Sequence, residues 1–187
     1  ITRLILNLSI GANLGIASGL GIVLVATMMI VQMGANATTR NLEARMAAQQ
    51  TIARDAVDAK ASIRGMQIGT RDIRLVNTAA DMQKASDYLA ARLNSVNKFA
   101  DEMLRLSRSA ENRARIEKLK ARASDYARGT QQIAAARTEA IAAAGSADAA
   151  RIAKLNEDAA RIAREVTLPI AAEIEQLANQ IADFAKH

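Results

Sequence analysis

The sequence predicts an all-α protein: an N-terminal transmembrane helix continuing into an antiparallel up-down-up-down four-helix bundle. Three observations lead there. Half of the 187 residues are hydrophobic, yet only 2% are aromatic, with one proline and alanine as the dominant residue; that balance belongs to long helices. No charged residue occurs between Arg3 and Arg40, a length that spans a bilayer core. From Arg40 onward apolar residues recur at alternating steps of three and four, the spacing of packed helices. Strands are not expected, because no segment joins period-2 alternation to β-branched and aromatic enrichment.

The apolar run is densest in "GIASGLGIVLVATMMIVQM", Gly15 to Met33, and the predicted anchor covers residues 1–35. Gly11, Gly15 and Gly19 fall at i, i+4 and i+8, so they line one face; small residues so spaced let two membrane helices approach closely. Ala35-Asn36-Ala37 also fits a small-x-small cleavage site, which makes a removable signal peptide the rival reading. The run is long for that role and helical spacing resumes at once, so an uncleaved anchor is expected.

Residues 36–187 form the predicted bundle, divided by three punctuation points. Thr78 with Asp81 resembles a capping box. Ser109 can cap the next helix. Gly145 suits a helix end and Ser146 the following cap. The resulting helices span roughly 36–76, 79–107, 110–144 and 147–187, and short connections make neighbours antiparallel.

Each helix has a seam of core positions. The first runs Ile52, Ala56, Ala59, Ile63, Met66, Thr70, Ile73. The second runs Leu89, Leu93, Val96, Ala100, Met103, and the third Ile116, Leu119, Ala123, Tyr126, Thr130, Ile133. The fourth runs Ile152, Leu155, Ala159, Ile162, Val166, then Ile170, Ile174, Leu177, Ile181, Phe184. Its rhythm becomes 4-4 near Pro169, a stutter. Pro169 also leaves the Glu165 carbonyl without its donor, so a kink is expected there, at a point where the helix could shift.

Catalysis is not expected. There are no cysteines, the single histidine is His187, and no nucleophile elbow, P-loop or zinc-protease motif occurs. The same poverty of ligands argues against a metal or cofactor. The net charge of +6 comes from 25 basic and 19 acidic residues that are interleaved. Without aromatic platforms, this is not a nucleic-acid footprint.

The chemistry concentrates in "ASIRGMQIGTRDIRLV", Ala61 to Val76, where Arg64, Arg71 and Arg74 face one acid, Asp72. With Ile52 at heptad position d, Arg64 and Arg71 are b, Arg74 is e, and Ala61, Ile68 and Leu75 are f. The arginines therefore border a second apolar row on the outer side of the helix. Such a row suits a second copy of the chain, which places Ile68 and Leu75 at a dimer seam. Three fates for the arginines follow: a solvated face, pairing with acids of the fourth helix such as Glu157 or Asp158, or capture of a carboxylate or phosphate in a pocket at the dimer seam. Gly65 and Gly69 permit either close backbone approach or local softness.

The strings "LSIGANLGIASGLGIVLVATMMI", "IRGMQIGTRDIRL" and "TLPIAAEI" resemble the N-terminal sensory region of methyl-accepting chemotaxis proteins of the four-helix-bundle type, with an alphaproteobacterial texture. The resemblance spans the chain by layout rather than by a strict signature. It implies a homodimer in the bacterial inner membrane with the bundle in the periplasm, binding a small effector or a periplasmic binding protein. It also implies signalling by a small shift of the fourth helix, with Arg64, Arg71 and Arg74 gripping an anionic ligand. The second transmembrane helix and cytoplasmic part would follow His187. The sensor of a transmembrane histidine kinase has the same layout. A membrane-anchored structural helical bundle without a small ligand is the alternative of another class.

Overall fold

A computed structural model describes residues 10–144 and 148–185. These residues are all-α: α1 (Ile10–Leu75), α2 (Ala79–Leu106), α3 (Ala110–Ala143), α4 (Ala149–Ile162), a π-helical turn (Ala163–Thr167) and α5 (Leu168–Phe184). The chain divides into two compact units, Ile1–Met46 and Ala47–His187.

In the first unit the described part of α1 is solvent-facing, and its Leu, Ile, Val and Met side chains from Leu20 to Met33 are all exposed. Among the described residues this is the one helix long and apolar enough to cross a membrane, and none of its apolar window is buried. A signal sequence meets the same test. At Gly19 an added Cβ would meet nothing within 4 Å. The surroundings of Gly11 and Gly15 lie outside the described residues.

The second unit holds the core. Every α1 seam residue from Ile52 to Ile73 is buried, as is the whole α3 seam, and in α2 only Leu93 is half-buried. The caps explain where the helices begin. Thr78 Oγ1 accepts from the Asp81 amide at 3.1 Å and donates to its carboxylate at 2.8 Å. That bond, aided by Lys84, holds the Asp81 carboxyl below its usual range. Ser109 Oγ accepts from the Asn112 amide at 3.3 Å. Gly145 and Ser146 lie outside the described residues; α4 is capped by Asp148, which accepts from the Arg151 amide at 3.0 Å.

A buried polar layer ties α1 to α3 across the core. The Tyr126 hydroxyl donates to Thr70 Oγ1 at 2.9 Å, and Thr70 and Thr130 hydroxyls lie 3.0 Å apart. Thr70 and Thr130 also bond the carbonyls of Met66 and Tyr126. Unpaired, a buried group of this kind costs about 1–3 kcal/mol, so the cross-helix bonds of the layer oppose a slip of α1 against α3.

Gly65 and Gly69 of α1 mark close approach rather than softness. A Cβ on Gly65 would sit 2.8 Å from Cδ of Arg92, whose guanidinium lies 4.8 Å from the Tyr88 ring centre. A Cβ on Gly69 would sit 3.3 Å from the Tyr88 ring and 3.7 Å from the Leu89 backbone. Both glycines make room for α2.

The fourth seam needs correction. Val166 is exposed, Ile152, Leu155, Ile162, Ile170 and Phe184 are half-buried, and the inward residues around the turn are Ala163, Thr167 and Ala171. The disturbance expected at Pro169 lies just upstream of it, as the π turn. Pro169 itself stands at the second residue of α5, directly after the π turn, and having no amide hydrogen it cannot close the i→i−4 bond to Glu165.

Candidate arginine groove

The structure separates the three arginines singled out by the sequence. Arg64 lines a groove between α1 and α5 with Val57, Lys60, Ala61, Asn179 and Asp183. Lys60 donates to Asn179 Oδ1 there at 2.7 Å. Arg71 and Arg74 lie two turns further along α1. They line a different groove, of about 440 Å³, with Leu75, Arg137 of α3 and Asn156, Ala159 and Ala160 of α4.

Arg137 is the member that sequence spacing does not reveal. Its guanidinium donates to the Val76 carbonyl at 2.7 Å and to Asn156 Oδ1. It therefore satisfies a carbonyl at the end of α1 that the helix leaves without a partner. Its Nε is shielded and has no hydrogen-bond partner among the described groups. One guanidinium thus bridges the end of α1, α3 and α4.

The groove's charge is one-sided, since no carboxylate lines it. Arg71 meets Asp72 at 3.6 Å, a contact between two exposed sequence neighbours that neutralises little. No carboxylate lies within ion-pair distance of Arg74 or Arg137 among the described residues. Among the described residues no ion pair joins Arg64, Arg71 or Arg74 to Glu157 or Asp158, and Asp158 pairs instead with Arg161 at 3.0 Å. Some other arginines contrast with these: Arg105 pairs with Glu102, and Arg122 with Asp125 and Glu173. Uncompensated guanidiniums around a concave surface attract and orient a small anion. The alanine floor, Ala159 and Ala160, leaves room above α4.

Ile68 and Leu75 are exposed, at 48% and 65%, and Val57 is exposed with them. All three stand on the outward side of α1. The described residues hold no group of three or more His, Cys, Asp or Glu able to bind a metal.

Comparison with protein-family profiles, characterised proteins and solved structures finds no match.

Proposed function

We propose that this chain is the ligand-sensing region of a transmembrane chemotaxis receptor. In this reading the apolar part of α1 is anchored in a bacterial inner membrane. The remaining helices form an antiparallel four-helix bundle in the periplasm, with α4, the π turn and α5 as its fourth helix. The receptor is a homodimer, and a small anionic effector binds and shifts the α4 part of the fourth helix. The observation that carries the reading is the groove of Arg71, Arg74 and Arg137, three guanidiniums with no carboxylate in the lining. A helix with no ligand to hold gains nothing from uncompensated like charges, which repel.

The effector groove lies within one chain, and Arg64 is outside it. Leu75 stands on its rim, so a second copy packed along Val57, Ile68 and Leu75 would shield the groove and strengthen its electrostatics. Isothermal calorimetry on the detergent-solubilised chain tests the reading, with succinate and inorganic phosphate as probes. Arg71→Ala is expected to weaken binding tenfold or more, the loss typical of a charge-assisted bond at about 1.5–3 kcal/mol. Its melting temperature should stay within a degree or two of wild type, because Arg71 is exposed. Equal affinity in wild type and Arg71→Ala would remove the groove from the effector site. No binding of either probe would favour the structural bundle.

A further inference from the structure

The inward residues of the fourth helical path are Ala159, Ala163, Thr167, Ala171, Ile174, Ala178, Ile181 and Ala185, all buried. Their steps are 4-4-4-3-4-3-4. A helix seam alternates fours and threes, so three successive fours hold one residue too many. Take one residue out between Ala163 and Thr167 and the same set steps 4-3-4-3-4-3-4 without a break. The π turn, Ala163–Thr167, is where the extra residue is stored. Its wider i→i+5 turn lets both flanks keep their faces inward. Val166 is the residue displaced outward.

The neighbouring helix is shaped to receive this turn. A Cβ on Gly129 would lie 2.9 Å from Thr167 Cγ2 and 3.3 Å from Val166 Cγ1. The Thr167 hydroxyl bonds back to the Ala163 carbonyl at 3.0 Å, which satisfies it inside the core.

The two sides of the turn are held unequally. α5 buries Ala171, Ile174, Leu177, Ala178 and Ile181. It is tied to α1 through Lys60–Asn179 and Gln67–Glu175, and to α3 through Glu173 with Lys118 at 2.7 Å and Arg122 at 2.9 Å. α4 buries Ala159 alone. Its polar ties to α3 are Asn156 with Arg137 and the 3.8 Å pair of Arg151 with Glu139. The groove wall on α4, Asn156, Ala159 and Ala160, lies within about two turns of the π segment.

We propose that the stored residue makes the π turn a joint, on which α4 moves onto and off the arginine groove while α5 keeps its register. This regulation of the groove rests on the groove being the effector site. The joint itself is testable without a ligand.

The test is hydrogen exchange read by mass spectrometry on the full solubilised chain, as wild type, as Pro169→Ala, and as Pro169→Ala with Val166 deleted, because proline inside the continuous helix left by the deletion would itself destabilise it. Without ligand, residues 163–167 of the wild type should exchange about tenfold or more faster than residues 171–181, the mark of a locally weak segment. The deletion should bring 163–167 to the protection of its flanks, with a Tm equal to or higher than that of Pro169→Ala. With succinate added, wild-type α4 should slow while α5 stays unchanged. In the deletion chain, whose helix is continuous, the slowing should spread into α5. Wild-type protection at 163–167 equal to that of α5, or a deletion chain that unfolds or melts lower than Pro169→Ala, overturns the joint. Failure of both succinate and phosphate to bind wild type overturns the effector reading instead, and the unliganded exchange pattern then decides the joint alone.

Discussion

Asp55 is a carboxylate only 3% exposed, and it works against the fold at neutral pH. Burial is the main cause pushing its carboxyl above the usual range; Arg54 pulls it down, while Glu102 and Asp58 push it further up. Arg54 sits 3.6 Å away on a mostly exposed side chain, too wet to compensate fully. The folded state therefore holds the Asp55 proton more tightly than the unfolded state, whose value is about 3.9. Charging it costs stability above the folded pKa, and the cost is relieved as pH falls through that value. Asp55→Asn should raise Tm at pH 7, and the gain should shrink toward zero as pH approaches 4; a lower Tm at pH 7 would show that the Arg54 pair outweighs burial. Glycine offers a second residue-scale case. At Gly65 an added methyl meets the flexible end of Arg92, which can swing aside. At Gly129 it meets Thr167, a stiff β-branched side chain on a helix. Gly129→Ala should therefore destabilise by about 1–3 kcal/mol despite alanine's better helix propensity. Adding Thr167→Ser, which deletes the opposing methyl, should recover much of the loss in a denaturant titration. The sequence shows a glycine at each place, but which neighbour fills the space is decided by helices 27 or more residues away.

At the scale of elements, local chemistry made most of the fold legible. Thr78 and Ser109 are oxygen-bearing residues directly before apolar-periodic runs, and each caps its helix. The seams of α1 and α3 could be read residue by residue, because a helix with a fixed period of about 3.6 presents them on one side. The same rule misplaces the fourth seam. It follows the larger apolar residues through Ile162, Val166 and Ile170, whereas the structure turns Ala163 and Thr167 inward. A π turn changes the local period, and no property of Ala, Arg, Glu, Val and Thr announces one. The 4-4 stutter was one visible trace, and Pro169, which has no amide to donate and lies two residues beyond the turn, was the other. The start of α4 at Ala149 follows from the Asp148 cap, an oxygen-bearing residue that competes in sequence with Ser146 two positions earlier.

At the scale of the whole molecule, the lining of the arginine groove was legible only in part. Arg71 and Arg74 share a helix, so spacing alone sets them near each other, and spacing also places Arg64 too near. Arg137 joins them only because α3 packs beside the end of α1, a tertiary fact without a local signal. The outward row of α1 was legible, and it bears on assembly. Val57, Ile68 and Leu75 remain exposed on the second unit and are separated by 11 and then 7 residues, both near whole numbers of helical turns. A row of this kind with nothing on it within the chain is what a symmetric pair buries, each copy offering the same residues. In the proposed dimer Ile68 lies at the centre of the row and meets its own counterpart. The chain lacks cysteine, so a single Ile68→Cys substitution gives an unambiguous reporter. Oxidation of this variant should yield a disulfide-linked dimer, because isologous contacts near a two-fold axis bring like residues within the 4.4–6.8 Å Cα range a disulfide requires, to quote its rough limits. A cysteine at Glu117, exposed on α3, should stay monomeric under the same oxidation. Crosslinking at Glu117 but not at Ile68 would move the pairing face off α1, and would leave the groove of Arg71, Arg74 and Arg137 open to solvent in the assembled pair.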